Sequence, residues 1–232
     1  MFAFFDIDET LVNQREAEAA AAHQLLAAYG NLLERSYSLP EFCRLWRFLR
    51  EKHNRAFFAG RILLQEQRRR RIRELFARDG KALSDAEADT LIEFYEYHYR
   101  NNWNLFDDVL PFFESLSGMA CGIISNGGTE QQKRKLYQTG IERYFEVVVV
   151  SDGIGAAKPQ SEIFLAACYQ ARCAAQQCIY VGDRLKEDAL ASSAVGMRAF
   201  WLDRKNSRTH SKVEVINSLA ELSWKLESRV AV

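Results

Sequence analysis

The chain opens Met1-Phe2-Ala3-Phe4-Phe5-Asp6-Ile7-Asp8-Glu9-Thr10, an apolar run that meets two carboxylates spaced two residues apart. A short run of this kind, bounded by polar residues, reads as a buried parallel strand. Carboxylates two apart at a strand end can face the same side. Leaving both ionised and close together is costly unless a cation lies between them, so the pair itself calls for a hard metal with oxygen ligands, magnesium first.

Outward from this strand the pattern changes. From about Asn13 to Asn104 no convincing strand is seen; Glu16 to Tyr29, Pro40 to Ala59, Arg61 to Arg78 and Ser84 to Tyr99 carry helical periodicity or helix-forming composition. Ser84 with Glu87 three residues on is a capping box. Beyond this block, short β-rich runs at Ala120–Ile124, Val147–Val150, Ile179–Val181 and Ala199–Leu202 alternate with helical patterns at Pro111–Ser117, Gln131–Thr139, Ser161–Ala171 and Lys186–Val195. Ser207–Lys212 reads as a loop, and Ile216–Leu226 as a last strand or turn and a closing helix. Such alternation predicts an α/β fold: a Rossmann-like parallel sheet covered by helices on both faces, with an all-helical block inserted after the first strand. The expected division is residues 1–13 and 106–232 as core, and 14–105 as helical insert.

In sheets of this type ligands bind beyond the carboxyl ends of the strands. Asp6 and Asp8 end the first strand. Ser125-Asn126-Gly127-Gly128 follows the second, Lys158-Pro159 lies in the loop after Val150, and Gly182-Asp183 follows Val181 with Asp188 five residues on. The topology can bring all of these to one crevice.

In this order the four islands resemble the phosphatase branch of the haloacid dehalogenase superfamily. The resemblance extends through Thr129-Glu130, Gly140-Ile141, Tyr144-Phe145, Ser151-Asp152, Gly155 and Ala157-Lys158-Pro159. It continues through Val181 to Asp188, Gly196-Met197, Trp201-Leu202 and Ile216-Asn217-Ser218-Leu219. It is similar to the helical-cap subfamily that includes pyrimidine 5'-nucleotidases. The resemblance implies Asp6 as a nucleophile that becomes an aspartyl-phosphate, and Asp8 as general acid/base. It further implies Mg2+ held by Asp6, the Asp8 backbone carbonyl and Asp183, with Asp188 as ligand or just behind the ligands. Ser125, Asn126 and Gly127 would offer a hydroxyl and backbone N–H groups to phosphate at a helix N-terminus. Lys158 would offset negative charge. The helical insert would be a cap that closes and selects the substrate, a small phosphorylated metabolite with a nucleoside 5'-monophosphate first. A phosphosugar mutase, a haloacid dehalogenase or a non-catalytic scaffold of the same fold are the rivals. Arg184, where many relatives carry a small or hydroxylated residue, would bridge a local carboxylate or reach toward the substrate.

Composition sets the outer limits. The 232 residues are 48% hydrophobic, and 31 basic residues balance 31 acidic ones, so no global field favours nucleic acid or an anionic membrane. No apolar run approaches a signal peptide or membrane span; a cytoplasmic protein, monomeric or homodimeric, is the expectation. The five cysteines form no C-x-x-C pair and read as reduced structural thiols. Arg68 to Arg71 point in four directions around a helix, with Glu66 and Glu74 in reach, and read as a solvated face rather than a nucleic-acid patch. Trp46, Tyr95 and their aromatic neighbours read as core. The four histidines show neither metal-ligand spacing nor an adjacent partner.

Overall fold

The computed structural model describes residues 1–116, 118–205 and 209–227. Six strands form one all-parallel sheet: β1 Phe2–Phe5, β2 Ala120–Ser125, β3 Val147–Val150, β4 Cys178–Gly182, β5 Arg198–Leu202 and β6 Glu214–Ile216. Their order is β3-β2-β1-β4-β5-β6. β1 is central and buried throughout, which explains its uninterrupted apolar sequence. Phe5 pairs with Ile123 of β2 and Val181 of β4, so Asp6, Ser125 and Asp183 leave the sheet at the same end.

Alternation of side chains across the sheet builds two apolar layers. Phe2 and Phe4 pack with Ile163 and Phe164 of α8 (Ser161–Gln170) on one face. Phe5 turns to the other, edge-on to Phe112 and Phe113 of α5 (Val109–Ser115). The remaining core helices are α6 (Thr129–Gln138), the short α7 (Ser151–Ile154), α9 (Ala191–Ala194) and α10 (Leu219–Glu227). α7 has no forerunner in the sequence reading, being only one turn long. α5 begins at Val109, two residues before Pro111, because proline is tolerated in the first turn, where its missing N–H is not needed. The expected end of that helix, Ser117, lies outside the described residues, as do residues 206–208 of the expected loop.

Where one helix over Lys186–Val195 was expected, residues Leu185–Leu190 form a π-helical turn and only Ala191–Ala194 is α. The Arg184 carbonyl accepts from both the Asp188 and Ala189 N–H groups, at 2.9 and 3.3 Å. The widened turn carries Asp188 inward.

The chain divides into two compact units, Met1–Asn13 with Asn104–Val232, and Gln14–Trp103. On the core side the two chain crossings are paired. Val12 bridges Leu105 antiparallel, Asn13 N–H donates to the Asn104 carbonyl at 2.9 Å, and Phe106 N–H donates to the Leu11 carbonyl at 3.0 Å.

The helical unit comprises α1 (Gln14–Tyr29), α2 (Leu39–Phe58), α3 (Leu64–Ala77) and α4 (Asp85–Asn101). Capping boxes open α2 at Ser38/Glu41 and α4 at Ser84/Glu87; each satisfies orphan N–H groups at a helix start. Trp46, Tyr95, Phe42 and Phe76 fill its interior. Arg68, Arg69 and Arg70 pair with Glu96, Asp89 and Glu66. Arg71 corrects the solvated-face expectation: it is buried, with its guanidinium 4.3 Å from the Trp46 ring centre and 4.9 Å from that of Tyr95. A cation shielded by two aromatic faces fits the interior because the rings offset part of its lost hydration. Glu74 pairs with Lys52 and His53 rather than with the arginine run, so His53 has a partner that the sequence did not disclose. All five cysteines are free thiols. Among the described residues no helix is long and apolar enough to cross a membrane.

Candidate active site

The crevice lies beyond the carboxyl ends of β1, β2 and β4, beside the point where strand order reverses, as expected for an open parallel sheet. Asp6 continues β1, its N–H donating to the Val181 carbonyl at 2.9 Å. Its Oδ1 accepts from Ser125 Oγ at 3.0 Å and from Lys158 Nζ at 2.8 Å. Lys158 spends its other two donors on Asp188 Oδ1 at 2.7 Å and the Tyr180 hydroxyl at 2.8 Å, so all three ammonium protons are committed.

Asp188 reaches the site through the π-helical turn. Its Oδ2 accepts from the Arg184 N–H at 2.8 Å and its Oδ1 lies 3.0 Å from the Tyr180 hydroxyl. The carboxylate packs directly on Gly182, where an added Cβ would stand 2.5 Å from Asp188 Cγ; only glycine leaves the space. Asp183 is held by its backbone, whose carbonyl accepts from Trp201 Nε1 at 2.9 Å. Asp6, Asp183 and Asp188 each offer an oxygen, and the three oxygens lie within 4.8 Å of one another.

Asp8 is arranged differently. Its carboxylate pairs with Lys135 Nζ through Oδ1 and accepts from Gln132 Nε2 through Oδ2 at 3.1 Å. Gln132 Nε2 also lies 3.0 Å from Ser125 Oγ and 3.1 Å from the Asn126 carbonyl, linking the surroundings of Asp6 and Asp8.

Electrostatics follow from this crowding. Burial pushes the Asp6 carboxyl up to about 6; Lys158 opposes the rise, while Asp188 and Asp8 add to it. Burial, reinforced by Asp188 and Asp6, raises Asp183 well above the usual carboxylate range. Burial works against the Lys158 ammonium, yet Asp188 and Asp6 outweigh it and hold its pKa above the ordinary lysine value. Burial next to Asp188 and Asp6 keeps Tyr180 a neutral phenol. With all four carboxylates ionised, two ammonium groups would leave an excess of two negative charges among hard oxygen donors. That is the charge of one divalent cation, and the donor set suits magnesium.

Of the residues singled out in the sequence, Asp6, Ser125, Lys158, Asp183 and Asp188 gather at this point. Asn126 and Gly127 take supporting positions. The Asn126 side chain clamps the Lys158 backbone, its Oδ1 accepting from Lys158 N–H at 2.8 Å and its Nδ2 donating to the Lys158 carbonyl at 3.0 Å. Gly127 N–H donates to Ser151 Oγ at 3.0 Å, so it does not project freely as the sequence reading supposed. Arg184 is exposed, with Nη1 3.8 Å from Glu187 Oε1. Three contributors escaped sequence reading: Gln132, Lys135 and Tyr180. Lysine and glutamine on a helix resemble surface residues, and tyrosine in an apolar strand resembles packing. The available signal was the i, i+3 spacing of Gln132 and Lys135 on a helix that starts at the Ser125 turn.

Residues 2–196 match the family described as haloacid dehalogenase-like hydrolase. The chain is 29% identical over 219 residues to a glyceraldehyde 3-phosphate phosphatase of Methanothermobacter thermautotrophicus, covering 86% of this chain and 84% of that one. It is 33% identical over 105 residues to the pyrimidine 5'-nucleotidase YjjG of Escherichia coli, covering 44% and 47% respectively. In fold it is similar to the HAD-hydrolase YfnB of Bacillus subtilis bound to magnesium, with a TM-score of 0.82, 21% identity and coverage of 97% and 98%. With an acidic metal-binding cluster at its strand ends, the chain belongs to the haloacid dehalogenase-like hydrolases and is an enzyme of their phosphatase type.

Proposed function

We propose that the chain hydrolyses a small phosphomonoester in two steps, with Asp6 as nucleophile and Asp8 as general acid/base. The observation that carries this reading is the division of labour between the two carboxylates. Asp6 sits in the acidic trio with Lys158 on one oxygen, whereas Asp8 stands on separate partners from another helix. A second Asp6 oxygen attacks phosphorus, the bond to the ester oxygen breaks, and Asp8 delivers a proton to the departing alcohol. Water then gives a proton to Asp8 as it attacks the phosphorus of phospho-Asp6, regenerating the free carboxylate. Asp6, Asp183, Asp188 and the Asp8 carbonyl would hold Mg2+, which when bound neutralises phosphate charge. Lys158 stabilises negative charge at Asp6 throughout, and the Ser125 hydroxyl keeps the attacking carboxylate oriented.

The presence of Asp8 and of the acidic trio disfavours a dehalogenase, whose metal-free chemistry needs neither. The similar proteins bring two substrate classes forward, a triose phosphate and a nucleoside 5'-monophosphate. Phosphate release from a panel of triose phosphates, nucleotides and sugar phosphates, with magnesium and with chelator, tests the reading. Magnesium-dependent release is expected, and Asp6→Asn lowers it at least about a thousandfold with the fold intact. Wild-type activity in Asp6→Asn would refute the mechanism, and isomerised rather than dephosphorylated product would identify a mutase.

A further inference from the structure

Lys135, like Asp188, has no exposed surface, and it sits on α6, outside every sequence island that suggested chemistry. Burying an ammonium is costly unless a counter-charge is built in with it. The Nζ of Lys135 pairs with Asp8 Oδ1. Three residues earlier on the same helix, Gln132 is likewise buried and takes the other oxygen, Oδ2, at 3.1 Å. Gln132 Nε2 also lies 3.0 Å from Ser125 Oγ, which in turn donates to Asp6 Oδ1 at 3.0 Å. Gly127, at φ +149°, leaves the room that Gln132 needs: an added Cβ there would meet Gln132 Nε2 at 3.1 Å.

A carboxylate gripped at both oxygens is hindered from turning about its side-chain bonds. Proton transfer to a leaving oxygen, or from an attacking water, needs a partner held within hydrogen-bond reach, and a small misplacement is expensive in rate. We propose that Lys135 and Gln132 are positioning residues that fix Asp8 for proton transfer to the leaving oxygen and from the attacking water. Neither touches the reacting atoms; Lys135 acts through Asp8, and Gln132 through Asp8 and through Ser125. This inference rests on the reading of Asp8 as general acid/base.

The test separates the two. The full chain and its Lys135→Met variant are rapidly mixed, with magnesium, with 4-nitrophenyl phosphate and with an alkyl phosphomonoester that the wild type accepts. The departing nitrophenolate needs no proton, whereas the alkoxide does. The first turnover on the alkyl ester is expected to slow at least about tenfold in Lys135→Met, with KM nearly unchanged. The first release of nitrophenolate is expected to change less than about threefold. Equal losses on both esters would mean a structural role only, and no loss on either would remove Lys135 from the reaction; each overturns the inference. An inactive wild type would instead overturn the phosphatase reading. Should Lys135→Met fail to fold, Gln132→Met decides on the same split, since it releases Oδ2 without stranding a charge.

Discussion

Charged residues are used in opposite ways in the two units. On α3 of the helical insert, Arg69 and Arg70 pair with carboxylates at or near the surface. Such pairs sit in water-like dielectric, compete with hydration and contribute about 0–1 kcal/mol each. In the core, Lys158 and Lys135 are buried and every proton of Lys158 is assigned. The same residue classes therefore act as interchangeable solubilising pairs in one unit and as an interdependent electrostatic assembly in the other. Arg71 of the insert marks the boundary between these regimes: it is buried between two aromatic faces, with Glu96 Oε1 3.8 Å from its Nη2.

The largest expected effect that would break this contrast is at Lys158. Lys158→Met leaves Asp6 and Asp188 without their shared counter-charge, and stability should fall by about 3–5 kcal/mol in magnesium-free denaturant unfolding. Added magnesium should restore part of the loss. A change no larger than that from Arg70→Ala would mean that the buried site is no more tightly coupled than the helix surface. Next comes Gly182→Ala, which sets a methyl against the Asp188 carboxylate. A loss of about 1–3 kcal/mol is expected, together with a smaller rise in Tm on adding magnesium. An unchanged magnesium response would show that Asp188 can move away without consequence.

The smallest effect sharpens the other side of the comparison. The hydrogen bond from Arg69, assisted by Gln65, holds Asp89 at about 2, below its ordinary 3.8. Because the folded value is depressed, its contribution is complete above the ordinary value and disappears as pH falls toward 2. Carbon NMR of the Asp89 carboxyl should find it still ionised at pH 3, and Asp89→Asn should leave stability at neutral pH almost unchanged. A carboxyl midpoint at its ordinary value would mean that this surface pair does not persist in solution.

Much of this architecture is legible in the chain because strand ends concentrate meaning. Met1 to Phe5 reads as a buried strand, and a strand so short fixes where Asp6 must emerge. Ser125 and Asp183 follow by the same logic, one and two steps past an apolar run. What escaped notice depends on contacts between segments far apart in sequence. Lys135 looks solvated until α6 is seen to press it against Asp8, 127 residues away. Tyr180 looks like filler until its hydroxyl is found beside Lys158 and Asp188. Local composition also predicted an ordinary helix over Lys186–Val195. The turn that carries Asp188 inward is wider instead, a case of tertiary contacts overriding propensity.

The paired crossing at Val12 and Leu105 has a consequence for how such a chain can change over time. Backbone hydrogen bonds join the two strands of that neck on the core side of the inserted helices, so the core meets the insertion as though it were a hairpin loop. The entropy of closing a loop grows only logarithmically, by about 0.6 kcal/mol for each doubling of length. The neck should therefore tolerate helical inserts of very different size and sequence. Lineages could exchange whole inserts there while the reaction chemistry on the sheet remains inherited unchanged.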